Sequence, residues 1–246
     1  MINKTNNKNF LNIQLVKLLS KKSPHPNPPR PGREQTAFTL AEVLITLGVI
    51  GIVAALTLPT VIQNYQKQVT INKLKKVYTK LNQAVKMSEI DNDAFENWSK
   101  ISDEVTEEEF VNKYFKPYLE IIKTCNNTLE CGYKSKMPFK NLNNDYLYYT
   151  SYGIILKDGT YIGFRKALNN ATLYIDINGT AQPNKYGRDF FIFHIIPLKG
   201  VVPSGYSDNH VVDTYCSKDY NGGDSGEQCA AKIIQDGWQI KDDYPW

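Results

Sequence analysis

Glu42 is the residue whose chemistry most needs explaining, because it heads a run, Val43 to Ile62, of 20 consecutive uncharged residues. A carboxylate in hydrocarbon costs about 3 kcal/mol near the middle of a bilayer, so such an acid either sits at the interface or finds a cation. The four cysteines offer a second chemistry. Cys125 and Cys131 form one pair close in sequence, and Cys216 and Cys229 another. Local pairing is one of three connectivities. The intervening gaps of five and twelve residues, with no His nearby, suit a zinc site poorly. They read as two disulfides that staple surface loops in an oxidising compartment. Catalytic groups are sparse. The three histidines, His25, His194 and His210, fall in unrelated settings, and no Ser or Cys stands in a nucleophile context. The chain is therefore not expected to be an enzyme.

The elements that carry these residues follow from pattern. Residues 1–37 hold seven basic side chains against the single acid Glu34 and include a Pro-rich stretch from Pro24 to Pro31. That composition cannot build a core and reads as a cytoplasmic leader. Taking those residues from the totals of 29 basic and 25 acidic leaves 22 and 24, so the body is slightly acidic and no nucleic-acid partner is expected for it. Val43 to Ile62 matches the roughly 20 residues needed to cross a bilayer as a helix. With the positive charges ahead of it, the N-terminus is expected in the cytoplasm and the rest outside. Pro59 removes one helix hydrogen bond and predicts a kink around Thr57 to Thr60.

Beyond Pro59 the pattern becomes amphipathic, with Val61, Tyr65, Val69, Leu74, Val77 or Tyr78, Leu81, Val85 and Ser88 at helical spacing. A short capped helix is predicted in 103–122, with Thr106 as N-cap. Strands are predicted at Tyr146–Thr150, Gly153–Leu156, Thr160–Phe164, Leu173–Ile177 and Phe190–Ile196, with Asp158-Gly159 as a hairpin turn. The tail from Gly200 to Trp246 reads as a disulfide-closed loop. The expected fold class is α+β: a long N-terminal helix packed on a small antiparallel sheet. Its parts are a leader (1–37), a transmembrane helix (38–62), an amphipathic continuation (63–92) and an extracytoplasmic α+β domain (93–246).

The segment Ala37-Phe38-Thr39-Leu40-Ala41-Glu42-Val43-Leu44-Ile45, with the basic leader before it and Pro59 after it, resembles the processing site of the type IV pilin and type II secretion pseudopilin family. The resemblance covers about 30 residues. It implies a pilin-like fold, cleavage between Ala37 and Phe38 by a prepilin peptidase, and methylation of the new amino group of Phe38. It also implies that Glu42 pairs with the N-terminal ammonium of a neighbouring subunit. The implied partners are that peptidase, further copies of the chain, other pilin-like subunits, an inner-membrane assembly platform and membrane lipid. The implied location is the bacterial cytoplasmic membrane, then a filament. A different class of function remains open at this point, a single-pass anchored extracytoplasmic binding domain that does not polymerise.

The stretch Asp176 to Asp189 also resembles a C-terminal motif of pseudopilin-like proteins, and some major pseudopilins bind calcium in a loop among their strands. Asp176, Asn178 and Asp189 could then supply oxygen ligands. An EF-hand is excluded, since the twelfth position counted from Asp176 is Gly187. The alternative is a set of Asx turns linking two strands.

Overall fold

The computed structural model describes residues 39–102, 104–149, 151–166 and 171–246. The expected leader and the Ala37–Phe38 junction lie outside the described residues. The chain divides into two compact units, Met1–Ala54 and Ala55–Trp246.

Helix α1 is Leu40–Asn92 and contains Pro59. Among the described residues of the first unit every side chain is exposed apart from half-buried Ala54. In the second unit the buried stripe of α1 is Thr70, Ile71, Leu74, Val77, Leu81, Ala84, Val85 and Ser88, at helical spacing. The predicted amphipathic face is present from Thr70 on. Val61 and Tyr65, which the pattern placed on it, are exposed.

The sheet has six strands, all antiparallel, in sequence order: β1 (Ile121–Cys125), β2 (Tyr152–Leu156), β3 (Tyr161–Lys166), β4 (Ala171–Asp176), β5 (Phe190–Ile196) and β6 (Gly200–Pro203). Alternation assigns its two faces. Ile154, Ile162, Leu173, Ile175, Phe191 and Phe193 join the stripe of α1 in the main core. Tyr161, Tyr174, Phe190 and Ile192 point the other way, into an aromatic layer with Tyr133 and Phe139 from the long β1–β2 connection. The α+β layout expected from sequence is the one observed.

Three elements differ from the reading of the sequence. Residues 146–149 form no strand among the described residues: Tyr146 makes an isolated bridge to Lys140, the Leu147 N–H donates to the Phe139 carbonyl (2.9 Å), and the side chains of Leu147 and Tyr149 pack into the aromatic layer. The predicted helix over 103–122 contracts to α2 (Glu107–Tyr114), and Ile121–Cys125 becomes edge strand β1. The tail is not all loop, since it carries β6, α3 (Asn209–Tyr215) and α4 (Cys229–Gln235).

Two contacts fix α1 (Leu40–Asn92) to the sheet. The Asn82 amide accepts from the N–H of Val201 (3.1 Å) and donates to its carbonyl (3.3 Å), so one side chain covers the β6 edge as a neighbouring strand would. At the β2–β3 turn, where Gly159 takes φ +85°, Asp158 accepts from Lys80 (2.8 Å) and pairs with Lys76 (3.2 Å).

Candidate functional site

Glu42 lies one turn into α1, where backbone N–H groups have no helical partner. Its carboxylate accepts the Thr39 N–H (2.8 Å) and the Thr39 hydroxyl (2.9 Å). The Thr39 hydroxyl in turn accepts the Glu42 N–H (3.2 Å). This reciprocal exchange is a capping box. Thr106 and Glu109 make the same one at the head of α2. Farther along, the Thr46 hydroxyl donates to the Val43 carbonyl (2.9 Å), so this polar group is satisfied within the helix. A Cβ at Gly48 or Gly51 would meet nothing within 4 Å, so that face is open. Among the described residues α1 is the one helix long and apolar enough to cross a membrane.

Both disulfides connect the expected partners, Cys125 with Cys131 and Cys216 with Cys229, across Cα separations of 5.5 and 4.9 Å. The first closes the turn after β1. Packing there is close: a Cβ on Gly153 would fall 2.5 Å from the Tyr161 ring and 3.0 Å from Cys131 Sγ, so only glycine fits. The second ties the end of α3 to the start of α4.

Asp176, Asn178 and Asp189 come together in the β4–β5 connection, with both acids buried. Asp176 Oδ1 accepts the Asn178 N–H (3.1 Å) and Oδ2 accepts the Tyr133 hydroxyl (3.0 Å). Asp189 Oδ1 accepts the Lys185 N–H (2.7 Å), and Oδ2 accepts the Asn184 N–H (2.9 Å) and the Asn178 amide (3.1 Å). Burial first, and then the Asp189 charge, push the Asp176 carboxyl well above its usual range. Burial also raises Asp189. Each of the four carboxylate oxygens thus accepts a protein donor, and the Asp176–Asn178 contact is an Asx turn. A calcium ion takes six to eight oxygen ligands and would have to share or displace these donors; of the three side chains' oxygens, the Asn178 Oδ1 is the one without a partner among the described residues. Among the described residues no group of three or more His, Cys, Asp or Glu side chains is placed to hold a metal.

His194 sits in β5 beside the Thr172 hydroxyl (3.3 Å), where burial holds its imidazole below the usual range. His210 lies in α3.

A cleft of about 270 Å³ opens between α1 and the β4–β5 connection, lined by Tyr65, Val69, Lys73, Pro183, Arg188 and Trp246 among others. The Arg188 guanidinium lies 4.3 Å from the centre of the Trp246 ring. The Arg188 carbonyl accepts the Thr70 hydroxyl (3.2 Å), and the carbonyl of Gly187 accepts the Tyr244 hydroxyl (2.6 Å), so the loop is held from both sides. On the other side of Arg188 a second hollow, about 210 Å³, adds Lys185 and Lys218. Sequence reasoning missed this basic cleft. Its residues stand at positions 65–73, 177–189 and 246; the sequence singled out only the middle stretch, as Asx turns or a calcium loop, and no motif connects it to the other two.

Residues 60–246 match the model of a family of unknown function, DUF6613. The match begins just after Pro59 and therefore covers the globular part and only the last three residues of the apolar run. No curated protein and no solved structure matches the chain.

Proposed function

The chain belongs to this family of unknown function, DUF6613, and from its own residues we propose that it is a structural subunit, pseudopilin or pilin-like, of a type II secretion or type IV pilus-like filament. It is made with a cytoplasmic leader, cut between Ala37 and Phe38 by a prepilin peptidase, and methylated on Phe38. It then resides in the cytoplasmic membrane with its N-terminus inside and the disulfide-bearing sheet domain outside. Assembly with copies of itself and other pilin-like subunits, at an inner-membrane platform, proceeds through α1.

The observation that carries this reading is α1. From Leu40 to Ile62 it exposes large apolar side chains such as Leu44, Ile45, Ile50 and Leu56 on all sides, whereas from Thr70 onward one stripe is buried against the sheet. So large an apolar surface needs a cover. Lipid supplies it before assembly, and neighbouring helices after. Glu42 then becomes tolerable inside a bundle once it meets the ammonium freed at Phe38.

The test is intact-mass and N-terminal analysis of the chain extracted from membranes. A mature chain beginning at methylated Phe38 is expected, and one still beginning at Met1 overturns the reading. The Thr39–Glu42 capping box favours a second reading, an anchored extracytoplasmic binding domain, because it accounts for the acid without any partner.

A further inference from the structure

We propose that the cleft between α1 and the β4–β5 connection holds the phosphate of an anionic phospholipid headgroup. This inference rests on the reading of Val43–Ile62 as a membrane span.

Position is the first argument. Tyr65 and Lys73, both in the cleft lining, stand roughly 5 and 16 Å beyond Ile62 at about 1.5 Å per residue. The headgroup layer is roughly 5–8 Å deep on each side of the hydrocarbon. Helical side chains lean toward the helix N-terminus, here toward the bilayer, so Lys73 extends from above toward the headgroup layer.

Charge is the second argument. Lys73 and Arg188 line the cleft, and Lys185 and Lys218 continue the basic surface around Arg188. Burial, and then the neighbouring charges of Arg188 and Lys140, lower the Lys185 ammonium below its usual range. The acid in the lining, Asp189, has both oxygens engaged by Asn184, Lys185 and Asn178. The half-buried Arg188 has Trp246 stacked beside it and makes no ion pair among the described residues. Its planar fork suits phosphate oxygens.

The third argument is composition. The indole N–H of Trp246 is buried and has no partner among the described residues. Tyr65 and Trp246 are of the amphipathic aromatic type that settles at headgroup level, and Val69 and Pro183 give the cleft an apolar wall.

The test uses the full chain in non-ionic detergent and native mass spectrometry, with short-chain phosphatidylglycerol, phosphatidylcholine or inorganic phosphate added. One retained phosphatidylglycerol per chain is expected. Lys73→Gln and Arg188→Gln should each reduce retention about fivefold, the worth of one basic residue at an anionic surface. Lys116→Gln, exposed elsewhere, should not. Equal retention of phosphatidylcholine overturns the proposal, as does displacement by equimolar phosphate or an unchanged Lys73→Gln. Because Lys73 is exposed, that variant keeps the test independent of folding. Alkaline carbonate extraction separates the two layers of inference. A chain that washes off membranes has no span and takes this proposal with it, whereas a retained chain without lipid preference overturns the headgroup site alone.

Discussion

Glu42 takes two hydrogen bonds from a single residue, Thr39, one from its backbone N–H and one from its hydroxyl. The bond geometry needs an acceptor oxygen and the assembly role needs a negative charge. Glutamine supplies the first without the second, because it too completes a capping box. Glu42→Gln should therefore leave the helix head intact yet abolish filament assembly, while Glu42→Ala loses both the cap and the charge. Counting filaments by electron microscopy beside membrane levels of each variant decides it. Normal assembly of Glu42→Gln would reduce the acid to a cap.

Asp158 links the β2–β3 turn to α1 through Lys80 and Lys76. Burial acts to raise its carboxyl, but hydrogen bonds from Lys80, Thr160 and Lys76 outweigh burial and hold it well below the usual carboxylate range. The folded state thus prefers the ionised form. The resulting stability is fully present above the unfolded value near pH 4 and fades as pH falls below it. Asp158→Asn should cost about 1 kcal/mol at pH 7 and clearly less at pH 2, where the contribution is only partly lost, read from urea unfolding at the two values. An equal loss at both would assign the effect to packing.

How much of this was legible beforehand depends on how local the cause was. The apolar run and its acid are adjacent in sequence, as are the members of each cysteine pair, and Asp158-Gly159 carries its own turn chemistry. Residues 146–149 look like a strand by composition but serve as a wedge: Leu147 and Tyr149 fill the aromatic layer, which only the folded sheet creates. Pro117 stands between α2 and Ile121–Cys125 and marks the end of the helix, but five residues of mixed pattern after it do not announce a strand. The helices α3 and α4 have seven residues each, too short for periodicity to register, and depend on the Cys216–Cys229 bond and their buried faces. The cleft joins positions over 170 residues apart, and spacing says nothing about that.

Calcium gives a third test. With every carboxylate oxygen of Asp176 and Asp189 already accepting a protein donor, the thermal midpoint of the chain in detergent should be the same in millimolar calcium and in EGTA. A rise of several degrees in calcium would mean that these donors give way to a cation.

Breaking the second disulfide should matter more. Cys216 and Cys229 are both buried and close a loop of sequence separation 13. Cys216→Ser with Cys229→Ser should lower stability by about 3 kcal/mol, and reducing agent should bring the parent chain down to the variant. A parent indifferent to reductant would show that packing of α3 and α4 alone holds the tail.

Asn82 has one more effect. By occupying the Val201 backbone groups it closes the β6 margin of the sheet, and at the opposite margin the irregular register between Ile121 and Lys123 breaks the ladder that an incoming strand would need. Growth by strand addition is disfavoured at both margins. A polymer of this chain would have to lengthen along its helices, and a cross-β fibre could begin only after the sheet itself had come apart.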